Sequence, residues 1–120
     1  VAGANEVGLR PAISNASVEQ LFRLMAKAPR TLSGDFRERQ TEVEERLRAG
    51  EIFEAAEVLR DLAWHNQDRG LTKRDMQLMQ RAEELVAGEL ALIREIEVKA
   101  AQDELQAILS EAMSERTAEL

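Results

Sequence analysis

The sequence has no cysteine and no tyrosine, and among its 120 residues there are one histidine, one tryptophan, three phenylalanines and two prolines. Without cysteine there are no disulfides and no thiolate metal ligands, and a reducing cytosol is permitted. A single histidine cannot build a metal or acid–base centre by itself. His65 follows Asp61 by one helical turn, but no second Glu-x-x-His and no paired nucleophile accompany it. It reads as a surface histidine near a helix C-terminus. Gly-rich phosphate loops, GxSxG elbows and HExxH patterns are missing, so the chain is expected to be no enzyme and to need no cofactor or metal. No apolar run approaches the roughly 20 residues of a membrane span. The start also lacks a basic-then-apolar leader, so a cytoplasmic chain with no membrane partner is expected.

What the sequence does have is apolar residues at helical spacing. Its hydrophobic content of 44% suits one all-α domain with a modest core. Acidic residues outnumber basic ones by 23 to 16, which argues against binding nucleic acid by bulk charge. The imbalance is local, however: residues 1–50 carry +1 and residues 51–120 carry −8. Any phosphate-facing surface is therefore expected mainly in the first half.

Residues 1–16, with Gly3, Gly8, Pro11 and Asn15, read as a lead-in or as the tail of a preceding domain. Ser17 and Gln20 suggest a capping box opening a helix with Val18, Leu21, Phe22 and Met25 on one face, which stops before Pro29. After the loop 28–34, Asp35 is a cap for a second helix ending near Gly50. That helix has only Phe36, Val43 and Leu47 as an apolar seam, and its charged side chains need water or ionic partners.

Ile52, Ala55, Ala56, Leu59, Leu62 and Ala63 then mark a buried-face helix closed by Gly70. Thr72 is positioned to cap the next helix through the amide of Asp75. Met76, Met79, Ala82, Leu85, Val86, Leu90, Leu92 and Ile93 cover more than half of that helix, which predicts a central hub. From Ile96 onward Val98, Ala101, Leu105, Ile108, Leu109 and Ala112 keep the spacing without a Gly or Pro boundary. A break near Glu95 to Glu97 is expected, because an unbroken helix from Lys73 to Met113 would be roughly 60 Å long. The alternative is such a rod driving dimerisation. The folded domain is expected over 17–113, with 114–120 frayed.

Three short runs occur in fixed order: Val58-Leu59-Arg60-Asp61-Leu62, Asp68-Arg69-Gly70-Leu71-Thr72 and Gly88-Glu89-Leu90-Ala91-Leu92. With these runs the chain resembles the CarD/CdnL family of bacterial transcription regulators, from Asn5-Glu6-Val7-Gly8-Leu9-Arg10 through Leu92. The resemblance implies a compact bundle of about five helices that binds promoter DNA at the upstream edge of the transcription bubble. It also implies that RNA polymerase is held by a Tudor-like domain preceding this chain, and that the helical domain is a monomer.

In the resembling proteins an Asn-Trp pair wedges into the minor groove, and here the pair is Asp35-Phe36. Phe36 is either such a wedge or the first packing anchor of its helix. Where the family continues Ser-Arg-Arg-Tyr-Lys, this chain reads Arg37-Glu38-Arg39-Gln40-Thr41. The likeness therefore nominates Arg37 and Arg39 for phosphate, while Glu38 opposes it. Lys73 and Arg74, at the positive end of the hub helix, either hold a phosphate or form a solvated pair. Trp64 lies one residue beyond the family's usual position. A competing reading is an acidic helical protein-interaction or dimerisation module without direct DNA contact.

Overall fold

The computed structural model describes residues 15–119, with side chains described for 16–116. The expectations placed on residues 1–14 lie outside that range. The described residues are all-helical: α1 (Asn15–Ala26), α2 (Phe36–Arg48), α3 (Ile52–Arg69), α4 (Lys73–Arg94) and α5 (Val98–Glu119).

Short-range signals set most of the helix ends. The Asp35 carboxylate accepts from the amides of Arg37 (2.8 Å) and Glu38 (3.2 Å), and the Glu51 carboxylate accepts from Glu54 (2.8 Å) and Phe53 (3.2 Å). Thr72 and Asp75 form a reciprocal capping box at the start of α4. Ser17 does not act as a cap, because α1 is already helical from Asn15.

Gly70 closes α3 at φ 85°, ψ 164°, a conformation open essentially to glycine alone. Nothing lies within 4 Å of where a Cβ would sit, so a substitution there meets backbone strain rather than a clash. Gly70→Ala is expected to lower stability by about 1–3 kcal/mol in urea unfolding, with no other change in the core.

α4 ends on Glu95 in the left-handed region (φ 56°, ψ 47°), and the Ile96 amide donates back to Ala91 at 3.1 Å. The break expected near Glu95 to Glu97 is therefore present, and the uninterrupted rod is not formed. An ion pair of 2.6 Å between Arg94 and Glu104 spans the turn, and partly buried Ile96 packs on the core, both favouring the strained residue. α5 runs to Glu119, with no Gly or Pro to stop it.

The core gathers one stripe from each helix: Val18, Leu21 and Met25 from α1; Val43 and Leu47 from α2; Ala101, Leu105 and Leu109 from α5. These close on α3 and α4. The centre is shared, since α3 packs against all four other helices while α4 packs against α2, α3 and α5. Two residues assigned to the hub's buried face point outward: Met76 is 50% exposed and Leu92 70%. They occupy the two ends of α4, where no described helix covers them.

Candidate nucleic-acid interface

α2 has too few apolar residues to hold itself on the bundle, and a buried ion pair completes its seam. Arg39, Val43 and Leu47, four residues apart, are the buried positions. The Arg39 guanidinium donates to Asp75 at 2.6 Å and 3.2 Å, and its remaining terminal nitrogen donates to the Ser33 carbonyl at 3.0 Å. Asp75 also accepts from the Thr72 amide and hydroxyl, each at 3.0 Å, and from Gln40 at 3.3 Å. Burial by itself would raise the Asp75 carboxyl, but the bonds from Arg39, Thr72 and Gln40 outweigh it and hold the pKa at about 2. This pair clamps the start of α2 to the start of α4.

The clamp decides what the surface presents. Arg39, nominated for phosphate, is turned inward at 4% exposure and is not brought to the surface. Phe36, nominated also as a packing anchor, is displaced from the seam and stands 48% exposed on the first turn of α2. The Arg37 guanidinium lies over the Phe36 ring, 5.4 Å from its centroid. Gln40 donates to the Thr72 hydroxyl at 2.9 Å, which sets Lys73 beside the second turn of α2. Lys73 is exposed and forms no ion pair with a described residue. Arg74 is half-exposed and pairs with Glu44 at 2.6 Å. Phe36, Arg37, Lys73 and Arg74 thus share the α2–α4 end of the bundle. Three acids lie close to this group: Asp35 caps α2 beside Phe36, Glu44 is paired with Arg74, and Glu38 accepts from the Ser33 hydroxyl at 3.0 Å.

A second polar network lies under the loop between α1 and α2. Asp61 is 1% exposed and accepts from Arg60 at 3.0 Å, from the Arg30 amide at 3.1 Å and from Arg46 at 3.4 Å. Arg60 also donates to the Leu24 carbonyl at 3.1 Å, and Arg46 to Glu54 at 2.6 Å. Desolvation disfavours the Arg46 charge, but Glu54 and Asp61 outweigh it and raise the pKa further. The Arg-Asp pair of the first sequence run is therefore buried within α3, and its bonds to Leu24, Arg30 and Arg46 tie α1, the loop and α2 to that helix.

His65 is half-buried against a cavity of about 170 Å³ beside the loop, near Pro29, Asp68 and Arg69. Burial, followed by the charges of Arg39 and Arg69, pushes its pKa down. Trp64, its neighbour, lies under the Arg116 guanidinium, 5.5 Å from the ring centroid, which fixes α5 beyond Met113. The buried Trp64 Nε1 has no hydrogen-bond partner among the described residues. Among the described residues, no three His, Asp or Glu side chains converge as metal ligands, and no helix is long and apolar enough to cross a membrane.

The described residues form a five-helix module whose buried polar networks tie its helices together and which leaves Phe36 exposed beside Arg37. The family model of the CarD C-terminal domain matches residues 20–106, well over half of the chain, and the chain belongs to the CarD family. This is a family of transcription regulators that is regulatory and non-enzymatic, associated in general with RNA polymerase and DNA.

Proposed function

We propose that this chain is the DNA-binding helical domain of a CarD-like regulator and that it stabilises the promoter open complex at the upstream edge of the bubble. Phe36 inserts into the minor groove at the fork, and Arg37, Lys73 and Arg74 hold the flanking phosphates. The observation that carries the reading is Phe36 itself, an aromatic left half-exposed at the leading end of α2 while a buried Arg39–Asp75 pair holds that end rigid. A wedge of this kind partly unstacks a base step at a cost of a few kcal/mol, offset by contacts to the opened DNA. Rigidity matters because a mobile aromatic would lose that energy to its own ordering. With a net charge of −7 and few phosphate contacts, binding by this chain alone is weak and salt-sensitive. RNA polymerase, engaged through a preceding domain, supplies the missing affinity by tethering.

Titration of fork-junction promoter DNA at low ionic strength tests the reading. Phe36→Ala is expected to weaken fork binding by roughly 1–3 kcal/mol while leaving blunt duplex binding nearly unchanged. Phe36→Trp is expected to restore or exceed the native affinity. Equal affinity of native chain and Phe36→Ala for the fork would contradict the wedge.

A further inference from the structure

We infer that the DNA backbone leaves the Phe36 wedge along the seam between α2 and α4, with Arg48 and Arg81 as further phosphate contacts. The inference rests on the function proposed above and extends its contact surface beyond the wedge.

α2 separates its charges by flank. Glu38, Glu42 and Glu45, spaced by four and three residues, form an acidic stripe, and the last two share an open cleft with Arg30, Glu51 and Glu54. A phosphate chain is repelled there. The other flank carries Arg37, Thr41, Glu44 and Arg48, again one stripe by helical spacing. On α4 the matching stripe is Arg74, Gln77 and Arg81, with Arg74 donating to Gln77 at 3.3 Å. The Arg74–Glu44 pair of 2.6 Å joins the two stripes across the seam. Glu44 is the one acid among these seven positions and is already neutralised by Arg74.

Arg48 and Arg81 are exposed and form no ion pair with any described residue. In a chain of net charge −7, two unpaired cations lying in line with Arg37 and Arg74 mark the direction in which a polyanion meets least repulsion. From Arg37 to Arg48 the helix rises roughly 16 Å, so the seam spans several phosphates of a backbone.

The test measures the salt dependence of fork-junction DNA binding by the full chain and two neutralised variants. Arg48→Gln/Arg81→Gln is expected to reduce the slope of log K against log salt by about 2. The control, Arg23→Gln/Lys27→Gln, removes the same net charge from exposed residues at the α1–α3 groove and is expected to leave the slope unchanged. Thermal unfolding of each variant shows that the fold is retained. If the two double variants behave alike while Phe36→Ala still weakens binding, the seam is no backbone track and is left for an acidic protein segment. If the native chain binds fork DNA with no salt dependence, both the track and the proposed function fail.

Discussion

Asp61→Ala is expected to destabilise the bundle by about 3–5 kcal/mol, a large part of the stability of a domain this size. Asp61 is 1% exposed and faces Arg60, which is 5% exposed, and Arg46. Removing the carboxylate leaves Arg60 buried without its counter-charge and the Arg30 amide without its acceptor, so the loop after α1 loses its tie to α3. Urea denaturation reads the loss as a fall in the midpoint. Because the network lies away from Phe36, Asp61→Asn, which keeps the shape and an acceptor oxygen, should retain fork binding wherever it remains folded. A loss below about 1 kcal/mol for Asp61→Ala would show that solvent replaces the carboxylate freely, contrary to its burial.

Asp75 produces the second large effect, and its signature is pH dependence. In the folded chain its pKa is about 2, against an ordinary value of 3.8. As the pH falls, the unfolded chain takes up this proton first, so the stabilisation is complete above about 3.8 and is lost on descending through about 2. A shift of this size corresponds to roughly 2 kcal/mol. Stability of the native chain is therefore expected to fall over this interval, and Asp75→Asn should be less stable at neutral pH but flatter in acid. Asp75→Ala, which strands Arg39, is expected to lose about 3–5 kcal/mol. Parallel pH profiles for native chain and Asp75→Asn would remove Asp75 from the account.

Much of the architecture was legible because its signals are local. Asp35, Gly70 and the Thr72–Asp75 box act within a few residues of themselves, and the stripes of α3 and α5 repeat at the helical period. The end of α4 was less legible. Glu95 carries no residue-type signal for a left-handed turn, and the break followed from the length an unbroken rod would have.

The candidate site was legible only in part. Phe36, Val43 and Leu47 fit one apolar seam by spacing, yet the structure gives the inward place to Arg39, whose partner Asp75 lies 36 residues away. A contact between charges that far apart leaves no trace in periodicity. Arg37, Lys73 and Arg74 were nameable from position, whereas Arg48 and Arg81 emerge only when α2 and α4 are seen to share a seam. The charge segregation of α2 was present in its own residues, with Glu38, Glu42 and Glu45 on one stripe and Arg37 and Arg48 on another.

The most direct measurement places a fluorescent adenine analogue at the junction base step of fork DNA and follows its emission as this chain is added. Insertion of the Phe36 ring separates that base from its neighbour, so emission should rise with the native chain and with Phe36→Trp, and stay flat with Phe36→Ala at saturating protein. An identical rise with Phe36→Ala, or no rise with the native chain once the DNA is bound, would contradict the wedge.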